Sequence, residues 1–126
     1  MEKYIRRGEL YYAYLEPVIG SEQGGERPVV ILQNNRGNRY SPTVIVAPLT
    51  TKLVKRTLPV HVKVTAAGLR STSLILLEQI RTIDKQRLRQ YIGEVTVEEM
   101  REIEQAVLIS IGMSDDKERG RENGGD

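Results

Sequence analysis

Residues 29–49 read VVILQNNRGNRYSPTVIVAPL, in which two apolar runs flank a polar stretch. The runs Val29–Gln33 and Thr43–Leu49 are rich in β-branched residues and do not alternate apolar with polar side chains. Runs of this kind are typical of strands that are covered on both faces. They therefore predict the interior strands of a sheet.

Three further segments predict strands around this pair. Glu9–Leu15 is rich in tyrosine, Pro59–Thr65 alternates strictly, and Ser73–Arg81 is apolar until its end. The alternation places His61 on the face opposite the valines, together with Lys63. Whether His61 is a structural residue or faces solvent or a ligand stays open at this stage.

The C-terminal third changes to a helical period. Thr96 and Glu99 have the spacing of a capping box, which predicts that a helix begins there. The apolar stripe expected to lie on the sheet consists of Met100, Ile103, Val107 and Ile111. Ile83–Leu88 resembles a short helical turn that is capped by Asp84. Five strands followed by a helix predict an antiparallel α+β domain or a small barrel, not a βαβ fold.

The 126 residues fit one domain with a tail. We place the domain at residues 1–113 and the tail at residues 114–126, which lack apolar side chains that could dock and are expected to be disordered. The domain carries 16 basic and 12 acidic residues, a net charge of +4, whereas the tail carries −2. This charge favours polyanion binding only slightly.

Several classes of site are excluded by composition. The chain has no cysteine and one histidine, so thiolate metal sites and disulfides are absent and no metal-binding spacing occurs. Neither a nucleophile elbow nor a phosphate-binding glycine loop is present. The first residues, MEKYIRRGEL, lack the apolar core of a signal peptide, and no run approaches the roughly 18 apolar residues of a membrane span. We therefore expect a cytoplasmic protein without a membrane segment.

The segment SEQGGERP, residues 21–28, allows two interpretations. In one, Gly24 and Gly25 form a turn, Pro28 fixes the strand entry and the charges are solvated. In the other, the glycines let the backbone approach a ligand, and Arg27 offers a planar fork that suits a phosphate. The composition of the segment does not choose between them.

The order of several motifs resembles the MazF/PemK toxin family. The motifs are RGELY (7–11), GSEQGGERPVV (20–30), QN (33–34), GNRYSPT (37–43), LPVHV (58–62) and LLEQIRTIDK (76–85). The resemblance covers roughly residues 3–112 and is greatest to the EndoA type of Gram-positive bacteria. It implies an SH3-like antiparallel β-barrel of the PemK/CcdB-like kind with a C-terminal helix packed on it.

The same resemblance implies a function. Members of this family are bacterial toxins of type II toxin–antitoxin systems, and they cleave single-stranded RNA such as mRNA at short sequences without metal or cofactor. They form homodimers and are blocked by a MazE-like antitoxin with an acidic, disordered segment. Two alternatives stay open, namely a gyrase-poisoning toxin of the related CcdB-like fold and a non-catalytic SH3-like RNA-binding module.

By resemblance, Arg27 and Thr50 are the catalytic pair. A guanidinium can stabilise charge on phosphorus, and a hydroxyl can position the phosphate or the 2′-hydroxyl, but neither is a good base near neutral pH. We assign the base to Glu22, with His61 as the other titratable candidate. The remaining expected RNA-binding residues are Ser21, Gln23, Gly24, Gly25, Asn34, Asn38, Arg39, Lys52, His61, Gln79 and Arg81. Arg81 has an alternative role in a structural pair with Glu78, and residues 52–56 are expected to form a basic, mobile loop.

Overall fold

The computed structural model describes residues 4–53, 58–66 and 68–115. Within these residues, seven strands and two α-helices are present. Their bounds are β1 Glu9–Tyr14, β2 Glu26–Ile31, α1 Asn35–Tyr40, β3 Thr43–Thr50, β4 His61–Val64, β5 Ser73–Leu76, β6 Arg81–Asp84, β7 Leu88–Glu94 and α2 Val97–Ser110. Two 3₁₀ turns lie at Leu77–Gln79 and Lys85–Arg87.

The strands form one antiparallel sheet in the order β4-β5-β3-β2-β1-β7, and β6 pairs with β3 beside β5. The first half of β3 pairs with β6 and its last residues pair with β5. Beyond β4, Gly68 lies so close to the backbone of Ile92 in β7 that a side chain at residue 68 would overlap the carbonyl oxygen of Ile92. The loop after β4 therefore contacts β7, at the other end of the strand order, although no strand pairing between β4 and β7 closes the sheet within the described residues.

Both faces of the central strands are buried, as the unbroken apolar runs predict. One face packs with α2 and contains Leu10, Val30, Leu49, Val62, Ile75 and Ile103 among others. The opposite face contains Tyr11, Leu15, Val29, Ile31, Val44 and Ile83. The pKa of Tyr11 is raised, mainly because the residue is buried and also because its hydroxyl donates a hydrogen bond to Glu9.

Helix α2 begins at the predicted capping box. The Thr96 hydroxyl accepts a hydrogen bond from the Glu99 amide at 3.0 Å, and the Glu99 carboxylate accepts one from the Thr96 amide at 2.9 Å. Ile103 is fully buried, with Met100 and Val107 packed against the same cluster. The prediction for Ile111 is wrong, because the helix ends at Ser110 and the side chain of Ile111 is 58% exposed.

The count of five strands is too low. The segment Ser73–Arg81 is interrupted by the 3₁₀ turn Leu77–Gln79, after which β6 begins. Strand β7 was not predicted because it lies at the sheet edge and most of its side chains are exposed. The polar stretch after β2 contains α1, whose N-cap Asn34 accepts a hydrogen bond from the Gly37 amide at 2.8 Å. The predicted Asp84 cap is confirmed, since its carboxylate accepts from the Gln86 amide at 2.8 Å.

Two predictions about mobility fall partly outside the described residues. Residues 54–56 of the basic loop and residues 116–126 of the tail lie outside the described residues. Among the described residues, no helix is both long enough and apolar enough to cross a membrane.

Candidate functional site

The pairing of β2 with β3 brings Arg27 and Thr50 together. The recorded pairs are Val29 with Pro48, Val30 with Ala47 and Ile31 with Val46. Continuing this register by two residues aligns Arg27 with Thr50. Directly opposed residues of antiparallel strands lie on the same face of the sheet, so the two side chains share one face although they are 23 positions apart along the chain.

Backbone carbonyls hold the Arg27 guanidinium in place. Its Nε donates to the Gly24 carbonyl oxygen at 2.8 Å and its Nη1 donates to the Leu49 carbonyl oxygen at 3.3 Å. Within the described residues, Nη2 has no hydrogen-bond partner. The guanidinium is therefore held by neutral backbone acceptors, and one of its edges stays free to bind an anion.

The Thr50 hydroxyl is also oriented. Its oxygen accepts a hydrogen bond from the Lys52 amide at 3.1 Å, which leaves its proton available for another acceptor. Arg27 and Thr50 line a shared pocket of about 290 Å³ together with Glu26, Pro28, Leu49, Thr51 and Ser73. The sequence interpretation missed Glu26, Thr51 and Ser73 as site residues. Ser73 reaches the pocket through the pairing of β5 with β3, which no local motif reveals.

Residues 16–25, here termed the site loop, lie between β1 and β2 and explain the two glycines. A Cβ on Gly24 would overlap the Glu16 carboxylate and stand 2.5 Å from the Val18 side chain. Gly25 has a φ of +71°, which disfavours other residues. Its amide donates to the Glu16 carboxylate at 2.6 Å, and its carbonyl accepts from the Leu15 amide at 2.9 Å. The glycines thus allow the loop to fold tightly beside Arg27.

Side chains from distant positions anchor the site loop. The Gln79 side chain accepts from the Gln23 amide at 2.8 Å and donates to the Ser21 carbonyl oxygen at 3.4 Å. Arg81 donates to the Leu15 carbonyl oxygen at 3.2 Å, and Arg87 donates to the carbonyl oxygens of Tyr14 and Glu16. The amide of Gln79, expected to read a base, is thus bonded to the loop. Arg81 contacts backbone and not Glu78, so the alternative structural pair is not formed.

A second pocket, of about 350 Å³, lies beside the loop and is lined by Glu22, Glu78, Gln79, Ile80 and Arg81. The Glu22 carboxylate accepts from the Ile19 amide at 2.8 Å. Glu22 therefore lines a different pocket from Arg27 and Thr50. His61 is buried, with 6% of its surface exposed, and its Nε2 lies 3.0 Å from the Glu78 carboxylate. The structure thus answers the open question about His61 in favour of burial.

Three predicted RNA-binding residues lie at the other end of the β2–β3 pair. Asn34 caps α1. Asn38 is 1% exposed, and its side-chain amide donates to the Gln33 backbone carbonyl oxygen and to the side-chain Oδ1 of Asn35. The Arg39 guanidinium stacks over the rings of Tyr4 and Tyr40 at 4.9 and 5.4 Å from their centroids. The structure does not bring these residues to the Arg27 pocket. Lys52 follows Thr50 and is exposed.

The fold, a small antiparallel sheet with one C-terminal helix, and the pocket lined by Arg27 and Thr50 together indicate the class of protein to which the chain belongs. Residues 6–111 match the family described as "PemK-like, MazF-like toxin of type II toxin-antitoxin system". Since the match spans most of the chain, the protein belongs to this family, and the resemblance inferred from its motifs is confirmed.

Individual relatives agree with this assignment. The chain is 50% identical over 113 residues to endoribonuclease EndoA of Bacillus subtilis strain 168, covering 88% of this chain and 97% of that protein. A mycobacterial endoribonuclease solved in complex with its cognate antitoxin is 30% identical, with a TM-score of 0.71 over 88% of this chain and 98% of the other. MazF of Deinococcus radiodurans is 22% identical and superposes with a TM-score of 0.77 over 89% of this chain and 100% of the other. The last comparison concerns the fold alone, and it confirms the predicted fold class.

Proposed function

We propose that this chain is the toxin of a type II toxin–antitoxin pair and that it cleaves single-stranded RNA at the Arg27–Thr50 pocket. The observation that carries the proposal is the juxtaposition of a fixed guanidinium and an oriented hydroxyl in one open pocket. Family membership and the identity to an endoribonuclease agree with it. Residues 1–113 form the catalytic domain, residues 114–126 form a polar tail outside it, and the protein acts in the cytoplasm.

The pocket suits cleavage by the neighbouring 2′-hydroxyl. In this reaction O2′ attacks phosphorus, the P–O5′ bond breaks, and the proton lost from O2′ is balanced by one gained at O5′. The free edge of Arg27 donates to the phosphate oxygens that gain charge. The Thr50 hydroxyl donates its free proton to the same phosphate or to O2′.

The proton acceptor remains a prediction. Glu22 lies in the neighbouring pocket and accepts a backbone amide, so it reaches O2′ only if the RNA draws the site loop toward the Arg27 pocket. Glu22→Gln tests this role. If Glu22 is the base, kcat of the wild type decreases at low pH as the base is protonated, and this decrease is absent in the variant. An unchanged profile in Glu22→Gln would reject the assignment.

Two partners follow from the proposed function. The toxin pairs with a second copy of itself, and a MazE-like antitoxin covers the RNA-binding surface with an acidic segment that orders on binding. The +4 charge of residues 1–113 supports attraction of both RNA and an acidic segment. Sedimentation of the purified protein at twice the chain mass checks the homodimer, and a monomer at micromolar concentration contradicts it.

The first experiment is cleavage of a long single-stranded RNA in the presence of EDTA. Wild type, Arg27→Ala, Arg27→Lys and Thr50→Ala are compared, with the exposed helix variant Arg101→Ala as the control. We expect cuts at a short sequence and a loss of about 10²–10³-fold or more in both alanine variants. Lysine keeps the charge but not the fork, so it restores only part of the rate.

The alternatives give different outcomes. RNA binding without cleavage by folded wild type indicates a non-catalytic binding module. Growth inhibition through gyrase, with RNA intact, indicates the CcdB-like activity.

A further inference from the structure

The Arg27 pocket contains a carboxylate that the proposed chemistry does not use. Glu26 is the first residue of β2, is exposed and lines the same pocket as Arg27 and Thr50. Within the described residues, the carboxylate of Glu26 makes no hydrogen bond and no ion pair, and its backbone pairs with Tyr14 in the sheet. Glu22 and Glu78 differ, since the first accepts the Ile19 amide and the second contacts His61.

Glu26 and Arg27 are adjacent but do not neutralise each other. The guanidinium of Arg27 donates to the carbonyl oxygens of Gly24 and Leu49 and not to the carboxylate. Both residues line one pocket, and because adjacent residues of a strand project to opposite faces, the positive and the negative group border it from different sides. The cation attracts a phosphate, whereas the anion repels it and favours a ligand group that donates a hydrogen bond.

RNA offers such donors on its bases. Adenine, cytosine and guanine carry an exocyclic amine, and a glutamate carboxylate is an established acceptor for the amine of cytosine. Uracil has no amine, and its N3–H group lies between two carbonyl oxygens that a carboxylate repels. A carboxylate beside the scissile phosphate thus discriminates between these two groups of bases.

We propose that Glu26 is a specificity-determining residue, which accepts a hydrogen bond from the exocyclic amine of a nucleotide next to the cut and disfavours uracil at that position. This inference rests on the proposed RNA cleavage. It assigns opposite tasks to neighbouring residues, since Arg27 binds the phosphate and Glu26 selects the base.

The test is cleavage of an RNA pool with randomised sequence, followed by sequencing of the cut ends. Wild type is compared with Glu26→Ala and Glu26→Gln. Glu94→Gln is the matched control, because Glu94 is an exposed glutamate that ends β7 and pairs with the end of β1 opposite to Glu26. We expect the preference for amine-bearing bases over uracil at one position beside the cut to fall about tenfold in both Glu26 variants.

Cleavage at uracil-containing sites gives a second readout. Loss of the negative charge removes repulsion of the RNA, so both Glu26 variants cut these sites faster than wild type does. A misfolded variant does not gain rate, so this result supports the proposal even if stability changes. Glutamine both donates and accepts, which makes it tolerant of either group of bases.

Three results overturn the proposal. An unchanged base preference in both variants shows that Glu26 does not contact a base. An equal loss on all substrates, with loss of the acid-side fall of kcat, identifies Glu26 as the proton acceptor. Absence of any cleavage by wild type removes the proposed function itself. Either of the first two results, together with Arg27-dependent cleavage, shows that only the inference about Glu26 has failed.

Discussion

The core between the sheet and α2 and the site loop are held by different forces. Val62, Leu77 and Ile103 of the core are fully buried, whereas every residue of the site loop is at least partly exposed. The loop and the two residues that precede it depend on hydrogen bonds, among them those from Gln79, Arg81 and Arg87, which lie 56 to 73 positions from their partners. Stability therefore resides in the core, and the geometry of the site depends on directional contacts that contribute little to it.

The largest loss of stability is expected from Ile103→Ala. Removing a fully buried side chain leaves a cavity and lowers the free energy of unfolding by about 2–5 kcal/mol. Cleavage per folded molecule stays near the wild-type level, because Ile103 belongs to the core and does not line the Arg27 pocket. Urea denaturation measures the first effect, and Ile111→Ala, at an exposed position, is the control. Similar losses in both variants would contradict the described packing of α2.

A smaller loss, of about 1–3 kcal/mol, is expected from Gly24→Ala. The new Cβ displaces the Glu16 carboxylate from the Gly25 amide and presses on Val18. Cleavage falls much more than stability, because the site loop carries the carbonyl that fixes Arg27. Gly20→Ala is the control, since it introduces backbone strain at a φ of +58° in the same loop but meets no neighbouring atom. Wild-type cleavage by Gly24→Ala would show that tight folding of the loop is not required.

Thr96→Ala removes the side-chain cap of α2 and lowers the free energy of unfolding by about 1 kcal/mol. Thr96→Ser keeps the hydroxyl and restores most of the loss. Thermal unfolding of the three proteins checks the order. We expect cleavage to be unaffected, because the cap stabilises α2, which packs on the core and not on the site loop. A large loss of cleavage in Thr96→Ala would show that the helix and the site are coupled.

The smallest change in stability, below about 1 kcal/mol, is expected from Gln79→Ala. The effect is local, since the Gln23 amide and the Ser21 carbonyl lose their partner. Hydrogen exchange then accelerates at the Gln23 amide and not in β4, and the Michaelis constant for RNA rises. Gln79→Glu retains the acceptor for Gln23 and protects that amide. Unchanged exchange at Gln23 would show that the loop is held by other contacts.

The core was predictable because its signals lie within a few residues of one another. The sequence directly shows the apolar runs of β2 and β3 and the capping box at Thr96 and Glu99. The structure confirms these predictions. Strand β7 and helix α1 were not predicted from the sequence, because β7 is an exposed edge strand and α1 consists of six mostly polar residues. Neither has an apolar period to recognise.

The site was only partly predictable. Local chemistry left SEQGGERP with two interpretations, and the resemblance to a toxin family assigned Arg27 and Thr50. Which groups share a pocket depends on strand register, so Ser73 and Glu26 were missed and Glu22 was placed with Arg27. The burial of Asn38 and His61 likewise follows from packing of elements distant in sequence.

The anchoring of the site loop by Gln79, Arg81 and Arg87 has a consequence for synthesis of the protein. The loop leaves the ribosome early, but its anchors are translated more than 50 codons later. A nascent or prematurely terminated chain that ends before Gln79 cannot assemble the pocket, even though Arg27 and Thr50 are already present. Fragments released by stalled translation before Gln79 therefore lack three of the side chains that position the site loop.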